Sequence, residues 1–506
     1  MSRKIIGIVA SIMFLSIWPS ISRADDWKSV RRPLGVYAHI DIALAIKELP
    51  DTCAASTAEV HACLRNLYSG LLSNAAISGL TVGDHWDAIQ LSDSLCFFSR
   101  SCSGSFDGYD WSYLDDVFVE ANLAHKSVQL IITPGVDAPQ WLFNKIPSCD
   151  GLFTTGQAPY DCGKVTFVNF PEVQRADGNP PIQPLPWNRV YNEAWWDFLT
   201  HLNLRYDRNP AFVSIAVAGP ICASDEFILP TSANGSTQLK GLPADDAWKT
   251  LVQHSFPFDS ELFDTDQVFI DSWKITIDAY ENIFRGITLF LSPDAGNDFP
   301  DYPGSRPPHR DNTLFAVDCS SVNNEVMSCE AKTEILSYFV RAYGPNQKST
   351  QVGGMTAGSL ETPGDIGIAG VKVLTALPPP AFFIGGAEFD FAASSTNPQL
   401  FQQQGCPKFP ANCGNLTVEL GAYNTLTVFF YDTPAAAFYG GAVGTVPIQY
   451  LGVDYTDVVY AQQNPCAPSP NKTINGMSLQ DLLNRASHDL FAMAGRKAPL
   501  PPSTCH

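Results

Sequence analysis

Strand-like and helix-like segments alternate along most of the chain, and that alternation restricts the possible folds more than any single motif does. Short β-branched or aliphatic runs predict strands over residues 35–41, 77–82, 127–133, 213–218, 286–291, 349–352, 382–384 and 426–431. Between them, apolar residues at helical spacing predict helices over 57–76, 110–125, 190–206, 266–284, 329–343 and 366–377, with a final helix over 476–494. In the first of these, Val60, Leu64, Leu67 and Leu71 recur every three or four residues. Eight such strand-helix units, the seventh helix poorly marked, predict an α/β fold of the (β/α)8 TIM barrel type, built as one domain over residues 25–506. A doubly wound open sheet has the same alternation, but no Gly-x-Gly-x-x-Gly follows the first strand, so no dinucleotide cofactor is expected.

The first 24 residues predict a signal peptide: Arg3 and Lys4 precede an apolar stretch, and Ser22-Arg23-Ala24 carries small residues where a signal peptidase cuts. The apolar stretch is shorter than the ~20 residues a bilayer crossing needs, so the expected product is secreted or periplasmic, with no membrane partner. A net charge of −20 argues against nucleic acid as a partner, because phosphate binding needs a basic face. Thirteen cysteines in an exported chain predict disulfides, and spacing suggests Cys53–Cys63, Cys96–Cys102, Cys149–Cys162, Cys319–Cys329, Cys406–Cys413 and Cys466–Cys505, leaving Cys222. Cys-x2-Cys metal spacing is absent, so no metal is expected either.

In a barrel of this kind the reacting groups sit at the C-terminal ends of strands. Two glutamates qualify on the predicted pattern. Glu388 follows the run Phe382-Phe383-Ile384-Gly385-Gly386, and Glu226 follows Val213 to Gly219. Two carboxyl groups can act on a glycosidic bond, one protonating the leaving oxygen and one attacking the anomeric carbon. The same rule nominates Asp41, His85, Trp86, Trp141, Asp390 and Asp432 as substrate-binding residues, and His39 joins His85 as a histidine that could bind substrate hydroxyls. Each has a structural alternative: the tryptophans can pack the barrel top, the histidines can be hydrogen-bonded framework groups, and the aspartates can cap helices. Insertions near 144–187, 228–264, 294–325 and 395–420 all follow predicted strands, which would wall a cleft on that face.

The chain resembles the clan A glycoside hydrolases, β-galactosidase-type members in particular. The resemblance lies in Gly79 to Trp86, in Tyr109-Asp110-Trp111-Ser112-Tyr113-Leu114-Asp115, in Pro139-Gln140-Trp141-Leu142, and in the two glutamates after strands four and seven. It implies a retaining glycosidase that takes a β-linked carbohydrate substrate, with Glu226 as acid/base and Glu388 as nucleophile. One position departs: Asp225 stands where clan members usually carry Asn before the acid/base. A secreted barrel that binds a glycan or a protein without catalysis is the alternative this departure leaves.

Overall fold

The computed structural model describes residues 31–93, 108–168, 181–219, 229–230, 236–237, 241–259, 267–291, 334–335, 338–339, 350–352, 388–389, 450–463, 465–466, 478–493 and 496. In chain order the strands are β1 (Gly35–Asp41), β2 (Ile77–His85), β3 (Ser127–Thr133), β4 (Lys164–Val168), β5 (Ile182–Pro184), β6 (Phe212–Ala216), β7 (Ser236–Thr237), β8 (Thr288–Leu291), β9 (Thr350–Val352), β10 (Glu388–Phe389) and β11 (Tyr450–Asp454). The helices used below are α1 (Ile42–Glu48), α2 (Thr57–Ser73), α3 (Trp86–Ile89), α4 (Ser112–Leu123), α5 (Gln140–Lys145), α6 (Arg189–Tyr206), α7 (Ala244–Ser255), α8 (Gln267–Ile283), α9 (Tyr455–Gln463) and α10 (Leu479–Met493).

Eight strands form one sheet in the order β10-β11-β1-β2-β3-β6-β8-β9, and every pairing in it is parallel. That is the chain order, rotated so that the last strand lies beside the first. The sheet is strongly curled. Adjacent strands lie roughly 4.8 Å apart, so β11 and β8, five steps distant, would be about 24 Å apart in a flat sheet. Instead the rings of Phe290 on β8 and Tyr450 on β11 meet at a centroid distance of 6.2 Å. The Gln129 amide on β3 likewise donates to the Tyr450 hydroxyl at 3.3 Å.

The curl gives the sheet an inner and an outer face, and the period-two pattern of the strands supplies both with apolar residues. Tyr37, Ile131, Ala216, Phe290 and Tyr450 form the inner cluster. Val36, Ala38, Ile40, Leu80, Val82, Val128, Leu130 and Ile132 belong to the larger outer core, together with the buried stripes of α2, α4, α6, α8 and α10. Position 79 has to be glycine: a Cβ there would lie 2.4 Å from the Tyr37 ring and 2.3 Å from the Ser127 carbonyl. Helix α2 starts at a capping box. Ser56 caps α2 and is answered by Glu59, the Ser oxygen accepting from the Glu59 N–H at 3.3 Å and donating to its carboxylate at 3.0 Å.

Strands β1 and β3 match the predicted spans, and β2 runs three residues further, to His85. Two strands differ. The seventh strand contains Glu388 rather than ending before it, and residues 382–387 lie outside the described residues. Beside β1 lies Tyr450–Asp454, a strand the sequence did not predict, while the predicted strand 426–431 and Asp432 lie outside the described residues. The insertions after β3 and β6 are joined: β4 pairs antiparallel with both β5 and β7, with Phe167, Trp187, Trp248 and Phe269 packed beside them. Disulfides Cys53–Cys63 and Cys149–Cys162 are present, and Cys466 is also disulfide-bonded. Among the described residues no helix is long and apolar enough to cross a membrane.

Candidate active site

The C-terminal ends of β1, β2 and β3 bring together a histidine and three aspartates. Asp41 ends β1 and caps α1, one oxygen accepting from the Leu44 N–H at 2.7 Å. Its other oxygen lies 3.8 Å from His85 Nε2. His85 ends β2, and its Nδ1 donates to Asp137 at 2.9 Å. Thr133, at the end of β3, donates to the same Asp137 oxygen at 2.9 Å and lies 3.3 Å from His85 Nδ1. The imidazole is therefore fixed through Nδ1, while Nε2 faces Asp41. His85 and Asp41 keep about a third of their side-chain surface, 31% and 36%, so a ligand can reach both.

Beneath this pair Asp84 is buried and accepts from the His85 backbone N–H at 2.8 Å. Burial pushes its carboxyl up to about 7, against the pull of that hydrogen bond and of the His85 charge. Burial alone would lower His85, but the Asp137 hydrogen bond and the charges of Asp137, Asp41 and Asp84 outweigh it and raise the ring to about 9. At neutral pH the group at the mouth is thus an imidazolium held by a carboxylate. Its free Nε2–H can donate to a hydroxyl that in turn donates to Asp41. A hydroxyl oxygen ~2.8 Å from each atom fits between partners at this separation.

The remaining predicted residues divide by position. His39 lies two residues before Asp41 in the same inward row, level with Asp454 on β11. Glu388 is level with Gly452, which is level with Tyr37, so its backbone also falls in that row. Trp141, on α5, is partly buried against the core, with Lys145 Nζ 4.9 Å from its ring and its indole N–H without an acceptor among the described residues. Trp86 is not at the mouth. It is fully buried outside the sheet, 4.9 Å from the Trp195 ring and 5.8 Å from that of Phe198, and its indole donates to Gln90 at 2.7 Å. With no exposed face it can stack on no sugar, so that expectation is corrected: α3 turns the residue after His85 away from the mouth and into the core. Glu226, Asp390 and Asp432 lie outside the described residues.

Four site residues, Asp84, Thr133, Asp137 and Asp454, are not among those the sequence nominates. Asp137 and Thr133 follow the strand-end rule that nominated His85, and Pro134-Gly135 marks the turn that presents Asp137. Asp454 is buried and accepts from Thr456 N and Oγ1, both at 2.7 Å, which caps α9. Among the described residues no group of three or more His, Cys, Asp or Glu is disposed to hold a metal ion.

No protein-family model matches the sequence, and no curated protein matches it. Among solved structures, a catalytic mutant of a GH42 β-galactosidase from G. stearothermophilus is similar over 52% of this chain, at 14% identity and a TM-score of 0.30. The matched part spans 37% of that enzyme's chain, and a likeness of this size assigns no activity.

Proposed function

We propose that the chain is an exported retaining glycoside hydrolase acting on a β-linked glycan, on a sheet closed into a (β/α)8 barrel by pairing of β9 with β10. The observation that supports the reading most is the strand order: among the described residues Glu388 is on the seventh of eight parallel strands arranged in sequence, and the ends of the first two carry the charged Asp41–His85 pair. In this reading the Glu388 carboxylate attacks the anomeric carbon while Glu226 protonates the departing oxygen. Glu226 then takes a proton from the water that releases the sugar. Retention requires the two carboxyl groups about 5–5.5 Å apart. His85 and Asp41 hold a sugar hydroxyl between them, His39 and Asp390 line the same mouth, Asp432 holds a further hydroxyl, and the Trp141 ring offers a face to the pyranose.

Kinetics on aryl β-glycosides test the pair. Glu388→Ala is expected to lose about 10³-fold or more in kcat, with activity partly restored by added azide as a glycosyl azide of inverted configuration. Near-normal turnover in that variant would remove Glu388 from the mechanism.

A further inference from the structure

At the opposite end of the sheet a cavity of about 510 Å³ opens below β1, β2 and β3 and is roofed by α10. Arg32, His125, Lys126, His488 and Arg496 line it, and among the described residues no Asp or Glu does. In a chain carrying 51 acids against 31 Lys and Arg, such a lining is far from the average surface. Asp489 touches His488 Nδ1 at 3.0 Å and is not among the lining residues.

Unused donors face the same space. Lys126 Nζ gives one hydrogen bond, at 2.7 Å to the Asn74 carbonyl, and the other two of its three donors are unclaimed among the described residues. Asn484 and Ser487, on α10, are buried to 5% and 8% exposure. The Asn484 amide accepts from Gln480 at 3.3 Å through its oxygen, and neither its NH2 nor the Ser487 hydroxyl has an acceptor among the described residues. Burial pushes the Lys126 ammonium down to about 8, which a bound anion would reverse.

The backbone also accepts an unfavourable conformation to keep a basic residue there. Helix α4 ends in a Schellman motif, with Lys126 N–H bonded to Ala121 O at 2.9 Å and His125 N–H to Asn122 O at 3.1 Å. The left-handed position of that motif usually holds glycine, yet here it is His125 at φ 55°.

We propose that this cavity binds a multivalent oxyanion of the phosphate or sulfate class, held by Lys126, Asn484 and Ser487 and ringed by Arg32, Arg496 and the two histidines. The site is independent of the glycosidase reading.

The test is calorimetric titration and thermal unfolding of the full chain with inorganic phosphate, inorganic sulfate and a sugar 6-sulfate, against chloride at matched ionic strength. Saturable binding and a Tm that climbs with oxyanion concentration are expected. Lys126→Gln should weaken affinity about tenfold or more, as loss of a charge-assisted hydrogen bond does, and exposed Arg496→Gln should weaken it less. Tighter binding of the sugar sulfate would name a glycan-borne ligand, and its exclusion a free oxyanion; either preference supports the site. An equal response to chloride would overturn the proposal, as would wild-type affinity in both variants. Should Lys126→Gln not fold, Arg496→Gln together with the wild-type titration decides the matter.

Discussion

The two ends of the parallel sheet carry opposite chemistry on the same three strands. Where β1, β2 and β3 finish, Asp41, Asp84 and Asp137 surround one histidine. Where the same strands begin, Arg32, Lys126 and Arg496 surround a cavity with no carboxylate among its described lining. In a sheet of this kind the framework and the site separate along the strand axis, so the ends can diverge in charge without disturbing the shared core. Tyr37 and Ile131 fill the space between them. Substitutions at one end should therefore leave the chemistry of the other unchanged.

The largest effect expected of a substitution within that contrast is at Asp137. Asp137→Ala frees the ring that Asp137 and Thr133 orient, and should cost about 10²-fold in kcat/KM, the scale of a misplaced reacting group. It should also move the pH profile. His85 is protonated below about 9, so if the imidazolium holds substrate, activity falls as pH rises through that value. Without Asp137 that alkaline limb should shift to lower pH. Oxyanion affinity at the far end should not change, and a parallel loss there would break the separation of the two ends.

A smaller effect is expected at Asp84. Its folded pKa is raised from 3.8 to about 7, so its favourable contribution is present below the unfolded value and is lost as pH rises through about 7. Asp84→Asn keeps an acceptor for the His85 N–H and removes the buried charge. Its Tm should exceed that of the wild type by about 2 °C or more at pH 8, with the gap closing toward pH 4. A lower Tm at pH 8 would mean that the ionised carboxylate stabilises the His85 cluster. The smallest effect belongs to the other end: His125→Gly should gain about 0.5–1 kcal/mol in urea unfolding by relieving the left-handed backbone, while weakening oxyanion binding.

The sequence was most legible where a strand is bounded by its own turns. Gly35 to Asp41 and Ser127 to Thr133 alternate cleanly between the two faces, and their spans were readable to the residue. The strand beside β1 was not, because Tyr450-Leu451-Gly452-Val453-Asp454 is short and has a glycine at its centre. The run Leu426 to Tyr431, richer in β-branched and aromatic residues, carries the stronger strand signal and lies outside the described residues. Site residues were legible as strand ends but not as partners. His85 and Asp137 lie 52 positions apart, and only the β2–β3 register, His85 opposite Thr133, brings them together. Trp86 shows the converse: a large aromatic beside a strand end reads as a sugar platform until the helix that follows turns it into the core.

The side chain that forms a covalent bond to sugar decides whether this chain is a retaining glycosidase. Incubation with a 2-deoxy-2-fluoro β-glycoside bearing a good leaving group should inactivate the protein, and peptide mass analysis should find the fluorosugar on Glu388. Inactivation with the label on any other residue, or hydrolysis whose first-formed sugar has inverted configuration, would contradict that reading.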